Sequence, residues 1–159
     1  MSTQSNKPPS QIKKILVSTD GSENAKRAVN AATNLAKQFA AELFIVTVLD
    51  MGVTRIYTPI SPFPSDADYS HFFQRAQADG KKIIDEAVST AKQSSINVSG
   101  KVLETMDSVP KVILDTAEKE KADLIVVGTR GLGGFKKLVL GSVSSAIVAH
   151  AHCSVLVER

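Results

Sequence analysis

Aromatic residues are scarce in this chain of 159 residues: they make up 5% of it, and tryptophan is absent. Proteins that bind single-stranded nucleic acid stack the bases on aromatic side chains, so this composition argues against that class. The charge balance agrees, because 19 basic and 16 acidic residues leave a net charge of only +3. A dedicated nucleic-acid binder shows a denser basic stripe. We therefore expect no DNA or RNA partner.

Cysteine is scarce as well, since Cys153 is the one cysteine in the sequence. It cannot form an intrachain disulfide, which favours a reducing compartment. No apolar run approaches the ~18 residues of a membrane span. Residues 1–10 are polar and lack the apolar segment of a secretory signal. We predict a cytoplasmic protein without membrane association, in which residues 1–10 form a flexible tail and residues 11–159 form one domain.

Short apolar runs alternate with longer amphipathic stretches through that domain. The stretches between the runs carry apolar residues at helical spacing, which predicts the order β-α-β-α-β-α-β-α-β. Apolar strands that alternate with helices indicate a parallel sheet with helices on both faces, an open doubly wound α/β fold. Residues 51–66 contain three prolines and are predicted to form a long loop. The predicted strands are residues 12–18, 43–49, 97–104, 124–127 and 155–157.

Ligands bind to such a sheet beyond the carboxyl ends of the strands, at the point where the strand order reverses. Two strand orders are common, 3-2-1-4-5 and 2-1-3-4-5. The loop after the fourth strand, residues 128–134, contains four glycines, whereas the loop after the third strand, residues 105–108, contains none. This contrast favours the five-stranded order 3-2-1-4-5, with a crevice between the loops that follow the first and fourth strands.

The glycine-rich loop is the most specific chemical feature of the sequence. Glycines allow a backbone to approach a ligand closely, and successive free N–H groups can hold an anion. The loop leads to Gly141 and Ser142, which open a helix whose N-terminal amides suit a phosphate. The alternative is that the glycines only form a tight turn and Ser142 only caps the helix. The Walker A pattern requires Lys at the position of Gly134, and the G-x-G-x-x-G fingerprint requires Gly at the position of Lys136. Neither motif therefore fits.

The spacing Gly128-x2-Gly131-x9-Gly141-Ser142 after an apolar strand resembles the ATP-binding motif of the universal stress protein family. The sequence Thr19-Asp20-Gly21-Ser22 after the first strand is similar to the family's first loop. The resemblance extends over residues 11–159. It implies the strand order 3-2-1-4-5 and a ligand that is ATP or a related adenine nucleotide.

The resemblance also implies roles for single residues. Thr19 and Asp20 would meet the nucleoside, with Asp20 on the ribose hydroxyls, and backbone groups of Val48 would contact the adenine edge. Two loop glycines would lie against the ribose and phosphates, and Arg130 lies beside them. The residues expected around the phosphates are Gly128, Arg130, Gly131, Gly141, Ser142, Val143 and Ser144.

The function could be regulation or catalysis. Asp20 and Asp50 are candidates to help hold Mg²⁺, but no residue is an evident base for activating water. We therefore favour an ATP-binding regulatory or stress-response protein, rather than an enzyme, whose nucleotide state biases its surface or assembly. A slow ATPase or autophosphotransferase and a nucleotide-free interaction module are the alternatives.

Two features concern the end of the chain. The last predicted strand, residues 155–157, is an edge strand without proline or lysine, which predicts a homodimer through this strand.

His150, His152 and Cys153 raise the hypothesis of a metal site, but a fourth ligand is not evident. We expect instead that His150 caps the end of a helix and that Cys153 belongs to the core.

Overall fold

The computed structural model describes residues 11–52, 65–129 and 140–159, and the alternation of strands and helices predicted from the sequence is confirmed. None of the helices in these ranges combines the length and apolar character needed to cross a membrane. The elements are β1 (Lys14–Ser18), α1 (Glu23–Phe39), β2 (Glu42–Asp50), α2 (Asp66–Lys92), β3 (Val98–Thr105), α3 (Val109–Lys119), β4 (Leu124–Gly128), α4 (Ser142–His150) and β5 (Ser154–Glu158).

The five strands form one parallel sheet in the order β3-β2-β1-β4-β5, as predicted. The central strand β1 pairs with β2 on one side and with β4 on the other. The chain moves outward from β1 to β3 and then returns to place β4 on the opposite side. The strand order therefore reverses between β1 and β4, and the loops after these two strands flank the expected crevice.

The core has two layers because successive strand residues face opposite sides of the sheet. Ile15 and Val17 of β1 pack under α1 and α2, whereas Leu16 packs under α3 and α4. All three side chains are completely buried. The prediction of helices on both faces is thus confirmed.

Two glycines allow α2 to lie close to the sheet. A Cβ added to Gly100 of β3 would lie 2.6 Å from Val88 Cγ2 and 2.7 Å from Ile84 Cγ2, both on α2. A Cβ added to Gly80 of α2 would lie 3.2 Å from Val102 of β3. Real Cβ atoms do not tolerate distances below 3.0 Å. The contact between α2 and β3 therefore requires that Gly100 has no side chain. The position of α2 is therefore fixed by its packing on the sheet.

The helix α2 begins earlier than the sequence suggested. Residue 66, the predicted end of the long loop, is already its first residue, because Ser65 and Asp68 form a capping box. Ser65 Oγ accepts a hydrogen bond from Asp68 N at 3.3 Å, and Asp68 Oδ2 accepts one from Ser65 N at 2.8 Å. At the other end of the predicted loop, Met51 and Gly52 are helical. Residues 53–64 and the predicted tail, residues 1–10, lie outside the described residues.

Candidate functional site

The loop after β1 is anchored to β2 at Thr19. Thr19 N donates a hydrogen bond to Val46 O at 2.9 Å, and the Thr47 hydroxyl donates one to Thr19 O. The Thr19 side chain is buried, and its Oγ1 accepts from Gly21 N at 3.2 Å. Backbone and side chain of this one residue therefore fix the start of the loop against the neighbouring strand.

Asp20 follows at the carboxyl end of β1 and is half-buried. Its Oδ1 accepts a hydrogen bond from Ser22 N at 3.0 Å, which shapes the turn into α1. Ser22 then caps α1, because its Oγ accepts from Ala25 N at 3.3 Å. Asp20 therefore stabilises this turn. The same hydrogen bond holds its carboxylate at the carboxyl end of β1, where the strand order reverses.

The loop after β4 is closed by Thr129, a residue that the sequence patterns did not single out. Thr129 O accepts hydrogen bonds from Gly141 N at 2.7 Å and from Ser144 Oγ at 3.0 Å. Thr129 N donates to Glu158 O of β5 at 2.7 Å. These bonds fix the beginning of α4 next to the end of β4. In the sequence, the signal for this role was a threonine that follows an apolar strand; the structure adds that it is buried.

The N-terminus of α4 presents three backbone amides that the helix itself does not use. Gly141 is the N-cap residue, so the hypothesis that Ser142 caps the helix is wrong. The first bond of the helix runs from Ser145 N to Gly141 O at 2.9 Å. The amides of Ser142, Val143 and Ser144 precede that bond and have no partner within the helix. Together with the positive end of the helix dipole, they form an arrangement that suits an anion.

The side chains of these residues differ in exposure. Ser142 is exposed, and Val143 is half-buried against the core under α3 and α4. Ser144 is only 3% exposed, and its hydroxyl lies 3.0 Å from Thr129 O and 3.1 Å from Gly141 O. The Ser144 hydroxyl therefore links α4 to the end of β4, and the amide is the donor of this residue that the helix leaves unused.

The backbone groups of Val48 point past the end of β1. Backbone groups of alternate strand residues point to the same side, and Val46 O faces β1 because it accepts from Thr19 N. The N–H and C=O of Val48 therefore also face that side. The last residue of β1, Ser18, is paired with Val46, so Val48 lies beyond it. A donor and an acceptor are thus presented side by side at the crevice.

Gly128, the last residue of β4, makes close contact with the start of α1. A Cβ at this position would lie 3.0 Å from Asn24 C, 3.1 Å from Asn24 O and 3.2 Å from Ala25 N. These are backbone atoms of a capped helix, which cannot easily move. Gly128 is therefore required for packing, whatever else it contacts. Arg130 and Gly131, the next two predicted site residues, lie outside the described residues.

The two aspartates proposed for Mg²⁺ both take part in local turns. Asp50 Oδ1 accepts a hydrogen bond from Gly52 N at 3.0 Å, just as Asp20 Oδ1 accepts from Ser22 N. Within residues 11–52, 65–129 and 140–159, no three His, Cys, Asp or Glu side chains are grouped closely enough to hold a metal ion.

His150 and Cys153, two of the three residues considered for a metal site, make contacts within the fold. His150 Nδ1 lies 2.9 Å from Ala146 O, one turn earlier in α4, and the C-cap residue of the helix is Ala151 rather than the expected His150. Cys153 is half-buried against the core under α3 and α4, where burial raises the pKa of its thiol. A protonated thiol is a poor metal ligand.

Comparison with known proteins gives one consistent result. The model of the universal stress protein family matches residues 11–159. A universal stress protein of Methanocaldococcus jannaschii is 32% identical over 147 residues, which cover 92% of this chain and 82% of that protein.

Among solved structures, the universal stress protein UspA from Lactobacillus plantarum has a TM-score of 0.77 and 25% identity, and the match covers 95% of this chain and 100% of that one. A universal stress protein in complex with cAMP has a TM-score of 0.64 and 26% identity, over 93% of this chain and 97% of that one. The chain belongs to the universal stress protein family.

Proposed function

We propose that this protein binds ATP, or a closely related adenine nucleotide, at the carboxyl ends of β1 and β4. The observation that carries the proposal is the N-terminus of α4, where the amides of Ser142, Val143 and Ser144 precede the first helical hydrogen bond. The bonds to Thr129 O hold these amides beside the reversal of the strand order. A phosphate chain is the ligand that this arrangement fits best.

The phosphates would accept hydrogen bonds from the three amides and from the exposed hydroxyl of Ser142. A hydrogen bond to a charged group contributes about 1.5–3 kcal/mol, so two or three such donors are enough for substantial affinity. Ser144 contributes its amide only, because its hydroxyl closes the loop. Gly128, Arg130 and Gly131 complete the proposed phosphate and ribose surroundings on the basis of the family resemblance.

The nucleoside would lie against β1 and β2. Adenine presents an amino donor next to a ring-nitrogen acceptor, which matches the adjacent C=O and N–H of Val48. Thr19 would border the nucleoside, and Asp20 would accept a hydrogen bond from a ribose hydroxyl. A carboxylate offers about four lone-pair sites, and one of them, on Oδ1, accepts the bond from Ser22 N that holds Asp20 in the turn. Support comes from the related universal stress protein in complex with cAMP, which also contains adenine.

The nucleotide would act as a regulatory ligand rather than as a substrate. The proposed site offers amides, hydroxyls and a turn-forming carboxylate, and the described residues around it include no evident base for activating water. We propose that the bound nucleotide biases the protein's surface or assembly during a stress response. The single cysteine, half-buried in the fold, favours action in the reducing cytoplasm.

Calorimetry and mass spectrometry test this function. Purified protein is denatured and any released ligand is identified, after which the ligand-free protein is titrated with ATP, with and without Mg²⁺. We expect a single adenine-nucleotide site and no multiple turnover in a phosphate-release assay. Steady release of phosphate would establish the ATPase alternative. An absence of both ligand and binding heat would leave a nucleotide-free interaction module.

We also propose a homodimer through β5. The sheet ends at this strand, which pairs only with β4 among the described strands. Glu158 O faces β4 because it accepts from Thr129 N, so the backbone groups of Val155 and Val157 face outward. A second copy of β5 can pair antiparallel with these groups across a two-fold axis.

A proline at the edge tests the dimer better than a charge would, because Val155 and Val157 also pack against the core. Val155→Pro removes an outward N–H without removing a bond to β4. Val155→Ala shortens the same side chain and keeps the N–H. In sedimentation at micromolar concentration, we expect the alanine variant to remain dimeric and the proline variant to be monomeric. A monomeric wild-type protein, or a dimeric proline variant, contradicts the proposal.

A further inference from the structure

Ile83 of α2 lies directly against the loop that follows β1. A Cβ added to Gly21 would lie 3.2 Å from Ile83 Cγ1 and 3.3 Å from Ile83 Cδ1. Gly21 also has a φ of +78°, a left-handed conformation that favours glycine. The loop therefore bends sharply at the point where it meets the isoleucine. This contact joins α2 to the segment that carries Asp20.

The helix presents Ile83 from a fixed position. Gly100 and Gly80 allow α2 to pack tightly on β2 and β3, and the neighbouring Ile84 is directed toward that packing, 2.7 Å from the Cβ position of Gly100. The loop on the other side of the contact is held by the hydrogen bonds of Thr19, Asp20 and Ser22 described above. Gly21 N is bonded to Thr19 Oγ1 at 3.2 Å, and its carboxyl-terminal side leads into the cap of α1.

Ile83 and Gly21 also line one open cavity, together with Thr19 at the start of the loop. This cavity, of about 190 Å³, lies between α1 and α2 and is lined by Val29, Ile83 and Ala87 at its apolar wall. If the Ile83 side chain were shortened, the volume that it leaves would join the cavity. The loop would then lose its packing contact with Ile83 at Gly21.

We propose that Ile83 is a positioning residue for the nucleotide: it holds the turn at Gly21 so that Asp20 meets the ribose. The proposal rests on the function proposed above. Ile83 contacts no ligand in this arrangement and acts only through the loop. Its loss would therefore weaken the ribose contact specifically and leave the amides of α4 in place.

Two neighbouring isoleucines provide a matched test. Ile83→Ala and Ile84→Ala remove the same atoms from the same helix, but Ile84 faces β3 and is only 6% exposed. We expect Ile83→Ala to weaken ATP binding about fivefold and the binding of 2′-deoxy-ATP clearly less. Ile84→Ala should lower the unfolding midpoint more and leave both affinities within about twofold. If Ile84→Ala does not fold, the pair Ile83→Val and Ile84→Val is compared in the same way.

If Ile83 only stabilises the fold, a different result is expected. The affinities for ATP and for 2′-deoxy-ATP would then fall by the same factor, in proportion to the loss of stability. That outcome, or an unchanged preference for ATP over 2′-deoxy-ATP in Ile83→Ala, overturns the proposal.

A second measurement needs no nucleotide. Gly21→Ala introduces a Cβ against Ile83, so the substitution should cost less stability in an Ile83→Ala background than in the wild type. Urea unfolding of the four proteins measures this coupling. If the two substitutions change the free energy of unfolding additively, Gly21 and Ile83 are not in contact and the proposal is wrong. A coupled cycle in a protein that binds no ATP shows that the proposed function fails while the contact stands, and the positioning role fails with that function.

Discussion

Replacement of Ser142 by proline removes two proposed phosphate donors, its amide and its hydroxyl, without removing a helical hydrogen bond. Ser142 is the first residue of α4, and its amide precedes the first bond of the helix, from Ser145 N to Gly141 O. Proline is well tolerated at this position, because its fixed φ suits the first helical residue and its missing N–H is not used by the helix. The preceding Gly141 has φ −75° and ψ 168°, the extended conformation that a following proline requires.

The expected effect follows from the worth of one charged hydrogen bond. Loss of an amide that donates to a phosphate should cost about 1.5–3 kcal/mol, which is roughly a 10- to 150-fold increase in Kd for ATP. Ser142→Ala keeps the amide and removes only the exposed hydroxyl, as the proline variant also does. The difference between the two variants therefore isolates the contribution of the amide.

Calorimetric titration with ATP measures both affinities, and thermal unfolding without nucleotide provides the control. The proline variant should unfold at the wild-type temperature or slightly above it, because proline restricts the unfolded chain. A proline variant that is folded and binds ATP as tightly as Ser142→Ala would refute the reasoning. The amides of α4 would then not hold the phosphates.

Two further substitutions separate structural from ligand roles. Asp20→Ala removes the acceptor of the Ser22 amide and should lower stability by about 1 kcal/mol. Titration should show a larger loss of affinity for ATP than for 2′-deoxy-ATP. Equal losses of affinity would exclude the contact between Asp20 and the 2′-hydroxyl. Gly128→Ala places a Cβ 3.0 Å from Asn24 C and should cost about 1–3 kcal/mol in urea unfolding. Gly52→Ala, whose Cβ would lie at an ordinary 3.4 Å from Asp50 Oδ1, is its control and should be near neutral.

The fold was predictable because its signals are local and repeated. Each buried strand is an apolar run and each helix has an apolar stripe, so the alternation follows from hydrophobic periodicity alone. The strand order needed one more observation, the concentration of glycines after the fourth strand. The start of α2 was not predictable from apolar periodicity, since the capping box of Ser65 and Asp68 adds a turn and a half of mostly polar residues before Phe72.

The location of the site stays a prediction, but the structure shows which roles within it the sequence could not reveal. The motif predicted that Gly141 and Ser142 open a helix, and α4 does begin there, but the capping residue is Gly141 rather than Ser142. The Ser144 hydroxyl is directed inward to Thr129 O. A serine at a helix start can face a ligand or close a loop, and the choice depends on which carbonyl lies beside it in the folded chain. No spacing in the sequence reveals that carbonyl.

The same ambiguity applies to Gly128, and it bears on how the motif is interpreted. The absent side chain of Gly128 faces the backbone of Asn24 and Ala25 at the start of α1. This close approach brings the N-terminus of α1, and the Asp20 turn before it, to the end of β4. A glycine here is therefore needed to assemble the crevice, even if it never contacts the nucleotide. Packing on α1 alone accounts for Gly128 of the motif, so in the proposed function the amides of α4 are the groups that would hold the phosphate.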